Sequence, residues 1–270
     1  MSSERSAHSA KAKQKAKRYW RSKKRLQAAF NRADAVLSGW WLSGMDEDDR
    51  RAIDEQYYSG QAKYHDGDYN RGGLWEWETK LLDRYFTDVK TILVGSVGGG
   101  RELFGLEARG YEADGFECHP ELVAFANRTL EAEGMRARVV QTKADECPAG
   151  GADYDGLIAG WGGYMLIRTR AKRVEFLRKM RARAKPGAPI MLSFYGRSDT
   201  GRNFALAAKS AQLFKRFRRN AVAAEEGDYM SPTYSHYFTE EELREELDEA
   251  GFDLVYYSEE DYGHAVGIAR

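Results

Sequence analysis

The 270-residue sequence predicts an α/β protein: a mostly parallel sheet with helices on both faces, ending in an antiparallel hairpin and preceded by an N-terminal helical extension. Three observations predict it. Short apolar runs alternate with amphipathic stretches between Thr91 and Tyr195, the pattern of βαβ units. The first of these runs breaks into several glycines and then into a helix. The last two runs, Phe252 to Tyr257 and Ala265 to Ala269, are joined by a connection too short for a parallel crossover, so they pair antiparallel.

Each element has its own signal. Leu26, Ala29, Phe30, Ala33, Val36, Leu37 and Trp40 recur at spacings of three and four, a helical stripe able to dock on the domain behind it. The acids at 46 to 49 mark a helix start, with a short helix through Ile53 to Tyr58. Residues 59 to 73 are polar, Tyr-rich and glycine-bearing, a lid candidate. Leu74 to Phe86 reads as a helix leading into strand Thr91 to Ser96. Then follow helix Glu102 to Arg109, strand Glu112 to Glu117 and helix Pro120 to Ala132, with proline at a favoured first position. Strands Arg138 to Thr142 and Tyr154 to Trp161, helix Arg168 to Ala184 and strand Pro189 to Tyr195 continue the alternation. Phe204 to Phe217 reads as an amphipathic helix followed by an acidic, Tyr-rich loop. Thr239 with Glu242 forms a capping box for a helix that Gly251 stops.

The formal charge of zero conceals an asymmetry. Residues 1 to 32 carry eleven basic side chains against Glu4 alone, leaving 31 basic and 41 acidic groups in the other 238 residues. Any anionic partner therefore concerns the N-terminal arm, where residues 11 to 25, interrupted by Tyr19 and Trp20, could contact nucleic acid or an anionic membrane surface. A solvated basic helix face is the simpler reading. Residues 1 to 18 have almost no large apolar side chain and are expected to be a disordered tail, followed by an extension and lid over 19 to 73 and the main domain over 74 to 270. No apolar run approaches the roughly 18 residues of a membrane span, and no apolar stretch follows the basic N-terminus as a secretory signal would require, so a cytoplasmic protein is expected. Cys118 and Cys147 show no CxxC or His-Cys clustering; free thiols and no metal site are expected.

The segment Ile92-Leu-Val-Gly-Ser-Val-Gly-Gly-Gly-Arg-Glu102 carries the chemistry. Glycines between a strand and a helix let backbone N–H groups and the positive helix end approach a ligand. Glu117 ends the second strand about 20 residues on, where a carboxylate accepts hydrogen bonds from both ribose hydroxyls of a nucleoside. The dinucleotide pattern GxGxxG fails because Leu103 occupies the third glycine position, and a Walker Gly-Lys-Ser/Thr is absent. A nucleoside without phosphates remains.

On these residues the sequence resembles the class I S-adenosylmethionine-dependent methyltransferases over about residues 75 to 270. Val94 to Gly100 is similar to the family's first motif, with Val94 where an acid is common and Ser96 where a glycine is. The resemblance implies a Rossmann-like seven-stranded sheet, S-adenosylmethionine as cofactor, and cofactor contacts at Gly95, Ser96, Gly98, Gly100, Glu117, Cys118, Asp145, Gly160 and Trp161. It also implies in-line methyl transfer to O, N or C of a small molecule, a reaction served mainly by holding the nucleophile near the methyl in a dry site. An RNA or protein methyltransferase using the basic arm, and a non-catalytic cofactor-binding module, are the alternatives. Where a base is needed, His236 beside Tyr234 and Tyr237, His65 in the lid candidate and Asp155 are the candidates.

Overall fold

The computed structural model describes residues 2–151, 153–198, 202–218 and 223–270. In chain order the helices are α1 (Ser2–Gly44), α2 (Glu47–Ser59), α3 (Gly67–Arg71), α4 (Glu76–Tyr85), α5 (Arg101–Ala108), α6 (Pro120–Ala132), α7 (Arg170–Arg183), α8 (Phe204–Lys215) and α9 (Glu240–Glu249). The strands are β1 (Thr91–Gly95), β2 (Glu112–Glu117), β3 (Val139–Gln141), β4 (Gly156–Ala159), β5 (Pro189–Gly196), β6 (Asp228–Met230), β7 (Tyr234–Phe238), β8 (Phe252–Ser258) and β9 (Gly263–Ala269). The chain divides into two compact units, Met45–Thr200 with Met230–Arg270, and Met1–Gly44 with Gly201–Tyr229. The boundary thus falls at Gly44, and residues 45 to 73, expected to go with the N-terminal extension, belong to the unit that holds the sheet.

In the larger unit β3, β2, β1, β4 and β5 lie side by side in that order, all parallel. β9 joins β5 antiparallel and β8 pairs antiparallel with β9, which gives the seven expected strands, and β7 adds a further one along the end of β5. Successive strand residues point to opposite faces, and here both faces are apolar. Leu93, Leu157, Ile190 and Leu192 enter one core, with Phe176, Leu177 and Met180 of α7 and Leu243 and Leu247 of α9. Ile92, Val94, Ile158 and Met191 enter the other, with Leu81 and Leu82 of α4, Leu103 and Leu106 of α5, and Ala126 and Leu130 of α6. A strand covered on both sides reads as a continuous apolar run, which is why these strands were legible without alternation.

Two differences from the expected elements have local causes. β7 lies where a Tyr-rich loop was expected; all five of its residues are buried, and its end pairs parallel with the last residues of β5, Tyr195 with Tyr237 and Gly196 with Phe238. A five-residue run of uniformly buried aromatic and polar groups has no period to read. The lid candidate is not irregular either: it contains a 3-10 turn at Ala62–His65 and α3, whose first N–H groups are capped by Asp66.

The smaller unit pairs α1 with α8 through small residues. A Cβ on Gly39 would lie 2.5 Å from the Ala207 carbonyl oxygen and 2.7 Å from Ser210 Cβ. Ala35, Ser38 and Leu42 are buried, together with Ala207, Ala208 and Ala211, because helices approach closely only where side chains are short. The larger apolar stripe expected to dock does not: Leu26, Phe30 and Leu37 are 54%, 62% and 56% exposed. Residues 2 to 18 are helical in α1, where a disordered tail was expected. Ala, Lys, Arg and Gln are good helix formers and no Gly or Pro interrupts the stretch, so the backbone continues as helix.

Candidate functional site

β1 ends at Gly95, and the chain turns through Ser96 (φ +55°), Gly98 (φ +53°) and Gly100 (φ +97°) into α5. Left-handed backbone is open to Gly98 and Gly100; at Ser96 it is strained and held by its surroundings. Those surroundings are glycines too. A Cβ on Gly163 would lie 2.4 Å from Ser96 Oγ, and one on Gly160 would lie 2.5 Å from the Gly95 carbonyl oxygen, so the chain leaving β4 can press on the loop only as glycine. The Gly160 N–H donates to that carbonyl at 2.6 Å.

Glu117, 6% exposed, closes the other side. Its Oε2 accepts the Gly98 N–H at 3.0 Å, and its Oε1 accepts the N–H groups of Cys118 (2.7 Å) and His119 (3.0 Å). The carboxylate thus ties the glycine loop to the end of β2, with one lone pair remaining on Oε2.

Beside it opens a cleft. One part, about 620 Å³, lies between α2 and the ends of β2 and β3, lined by Arg50, Asp54, Phe116, Asp145, Ile167 and Phe176 among others. A second, about 470 Å³, shares Tyr58, Ser96, Glu117, Cys118 and His119 with the first and adds Tyr64, Gly98, Leu122 and Trp161. A third, about 280 Å³, continues over the glycine loop to Tyr69, Asn70, Arg101 and Glu102.

At the glycine-loop end Arg101 is buried between two carboxyl groups. It is bidentate to Glu78 at 2.7 Å on both oxygens, donates to Glu102 Oε1 at 2.8 Å and to the Gly73 carbonyl at 2.8 Å, and lies 3.9 Å from the Trp75 ring centroid. Burial pushes the Glu78 carboxyl above its ordinary value, against the pull of Arg101. Glu102 Oε1 also accepts the Trp161 N–H at 3.2 Å. Over this end lies the segment of residues 64 to 70, close enough that a Cβ on Gly99 would meet the Tyr64 carbonyl at 2.3 Å and the Asn70 amide at 2.6 Å.

At the other end α2 contributes Arg50, which pairs with Asp54 (3.1 Å), Glu47 (3.3 Å) and Asp145 (3.3 Å). Lys172 of α7 also pairs with Glu47 (2.9 Å) and Asp145 (3.5 Å). Burial raises the Asp54 carboxyl to about 6, an effect that Arg50 only partly offsets.

Of the residues expected to contact a cofactor, Ser96, Gly98, Glu117, Cys118, Asp145 and Trp161 line the cleft together. Gly95, Gly100 and Gly160 do not line it; they shape the loop from behind. The two expected bases lie elsewhere. His65 turns its ring onto Phe125 of α6 at 5.6 Å, and His236, 1% exposed within the buried strand β7, packs on Phe238 at 4.6 Å. Asp155 is a structural staple: it accepts the Lys90 and Thr91 N–H groups and pairs with Lys185 at 2.7 Å, which holds it at about 2. The histidine that does line the cleft, among the described residues, is His119. Glu117, Cys118 and His119 bring ligand atoms within 4.8 Å of one another, and burial beside Glu117 pushes the Cys118 thiol up from its ordinary value. Arg50, Asp54, Tyr58, Asn70 and Glu102 went unread; the capping box Asp46 to Asp49 marks α2, but nothing local says which of its faces meets a cleft.

No helix among the described residues is long and apolar enough to cross a membrane. No protein-family model and no curated protein matches the sequence. Solved structures do match the fold. An S-adenosylmethionine-dependent methyltransferase from Methanosarcina mazei is 18% identical, with 73% of this chain and 98% of that one covered at a TM-score of 0.55. A sugar N-methyltransferase from Streptoalloteichus is 16% identical over 84% and 94%, with a TM-score of 0.56. The 1,6-didemethyltoxoflavin-N1-methyltransferase of Burkholderia thailandensis, solved with its substrate and S-adenosylhomocysteine, is 16% identical over 83% and 91%, with a TM-score of 0.55. At these identities the likeness is one of architecture, and the architecture of this chain, five parallel strands in the order β3-β2-β1-β4-β5 closed by the antiparallel β9 and β8, is the class I S-adenosylmethionine-dependent methyltransferase fold.

Proposed function

We propose that the protein is an S-adenosylmethionine-dependent methyltransferase acting on a small molecule. The observation that carries this reading is the buried Glu117 carboxylate on one side of a continuous cleft, with the left-handed glycine loop on the other. The residues present fit a nucleoside-bearing cofactor. Glu117 Oε2 keeps a lone pair for a ribose hydroxyl, and Phe116, Leu166, Ile167 and Phe176 line the same part of the cleft as Asp145 with apolar surface. When bound, the cofactor supplies the electrophilic methyl group on sulfonium.

The chain's own residues then bind and exclude water. Ser96, Gly98, Glu117, Cys118, Asp145 and Trp161 are assigned to cofactor contact. Tyr58, Tyr64 and Trp161 wall the middle of the cleft, where an acceptor is oriented. Burial raises the Tyr58 and Tyr64 phenols, so they stay protonated and serve as hydrogen-bond donors rather than bases. His119, its ring tilted against that of Tyr58 at 5.8 Å between centroids, is the group best placed to take a proton from an acceptor. The methyltransferases that match in architecture include a sugar N-methyltransferase and a toxoflavin-precursor N1-methyltransferase, which supports a small-molecule acceptor and nitrogen as the atom methylated. Isothermal titration of the full chain tests the reading: S-adenosylmethionine or S-adenosylhomocysteine binding is expected, and a folded sample that binds neither rejects it.

A further inference from the structure

The cavity over the glycine loop presents acceptors without donors. Asn70 is 1% exposed, and its Nδ2 donates to the carbonyl oxygens of Tyr64 (3.3 Å) and Asp66 (2.7 Å). Since both partners are acceptors, the amide's orientation is set, and Oδ1 is left buried on this cavity with no donor among the described residues. Glu102 is 3% exposed; its Oε1 is used by Arg101 and Trp161, whereas Oε2 accepts from no described residue. Asn70 and Glu102 both line the cavity, as do the rings of Tyr64, Tyr69 and Trp161. Those rings already draw a cation: Lys63 Nζ lies 4.9 Å from the Tyr64 centroid and 5.3 Å from the Trp161 centroid.

Charge points the same way. Arg101 faces two carboxyl groups, Glu78 and Glu102, all three buried, so the cluster is one cation short of balance. A buried surplus carboxylate is costly unless a cation or proton meets it. Trp161 Nε1, buried and without a partner among the described residues, is a donor on the same cavity and suits the carboxylate that neighbours an α-ammonium.

We propose that Asn70 Oδ1 and Glu102 Oε2 form an ammonium-binding subsite walled by Tyr64 and Trp161. The subsite rests on the methyltransferase reading and specifies it, because two sources bring an ammonium group into such a cleft: the amino-acid end of the cofactor, or an amine acceptor. In either case it stands in for the acid that the first motif lacks at Val94.

Calorimetry on the full chain separates the sources. S-adenosylhomocysteine and 5′-methylthioadenosine, which lacks the amino-acid end, are titrated into the wild type, Asn70→Ala and Glu102→Gln. If the cofactor supplies the ammonium, the wild type prefers S-adenosylhomocysteine by about a hundredfold, and each variant cuts that preference by about tenfold or more. Binding of 5′-methylthioadenosine stays unchanged and reports that the variants are folded; should Glu102→Gln not fold, Asn70→Ala carries the test. If the acceptor supplies it, the preference is unaffected, and the wild type saturated with S-adenosylhomocysteine binds 2-phenylethylamine but not 2-phenylethanol, a discrimination that the variants lose. A wild type showing neither discrimination, or variants retaining whichever it shows, overturns the subsite while leaving cofactor binding intact. A folded wild type that binds neither nucleoside overturns the methyltransferase reading and the subsite together.

Discussion

At the glycine-loop end of the cleft one guanidinium, Arg101, serves two carboxyl groups; at the α2 end Arg50 and Lys172 serve three. Both clusters are short of one positive charge, yet they differ in solvent. Arg101, Glu78 and Glu102 side chains are at most 5% exposed, whereas Glu47 and Lys172 are 32% and 43% exposed. Water therefore screens part of the second cluster, and its imbalance falls on its most buried carboxyl, Asp54, which answers by holding its proton to about 6. The first cluster has no screened member, and its surplus is directed at a cavity. A carboxylate surplus thus raises a buried carboxyl at each end, Asp54 and Glu78, and at the glycine-loop end Glu102 also faces a cavity.

Four experiments sharpen or break that contrast. Glu117→Ala removes the carboxylate between the two ends and is expected to weaken S-adenosylhomocysteine by up to about 3 kcal/mol, over a hundredfold, through the loss of a hydrogen bond to a charged acceptor. Unlike the glycine-loop variants it should weaken 5′-methylthioadenosine equally, because ribose is common to both; titration of the two ligands decides. Asp54→Asn probes the titrating end. A carboxyl raised in the folded state keeps a proton that the unfolded chain has released, so wild-type stability should fall as pH rises from about 4 to about 6, by up to about 3 kcal/mol. The variant should lose that slope in denaturant melts across the range; an unchanged slope removes Asp54 from the account.

Asp155→Asn supplies the contrast of a carboxylate that serves the fold alone. It should cost about 1–2 kcal/mol in melts at neutral pH and leave both nucleoside affinities unaltered. Its folded value is depressed to about 2, so its contribution is present above the unfolded value near 4 and lost as pH falls from about 4 to about 2. The smallest effect is expected from deletion of residues 1 to 32. Every cleft-lining residue lies in the unit Met45–Thr200 with Met230–Arg270, so S-adenosylhomocysteine affinity should stay within about twofold, while a large loss of activity on one acceptor class would mark the arm as that acceptor's docking segment.

Legibility followed the locality of the signal. Pro120 opens α6, Glu242 reaches back to Thr239, and Glu117 ends β2, each as expected, because one residue and its chain neighbours suffice to specify a cap or a strand end. The helical stripe at Leu26, Phe30 and Leu37 was just as clear as a period and misleading as a location, since a period says that a helix has an apolar side and not which side its partner takes; the short residues around Gly39 decided that. His65 and His236 fail for a related reason: a reactive side chain type in a loop carries no information on where it points, and both turned to aromatic packing.

By itself, then, the sequence determined the alternation of strands and helices, the closing hairpin, the glycine turn and the acid across from it, all consequences of backbone geometry and burial read within a dozen residues. Tertiary structure alone decided that Arg50 and Asp54 from α2, Asn70 from α3 and Glu102 from α5 meet along one cleft, because the balance of buried charge there depends on partners distant in sequence, 95 positions apart for Arg50 and Asp145. Electrostatic surplus is a property of a neighbourhood in space, and no stretch of chain carries it.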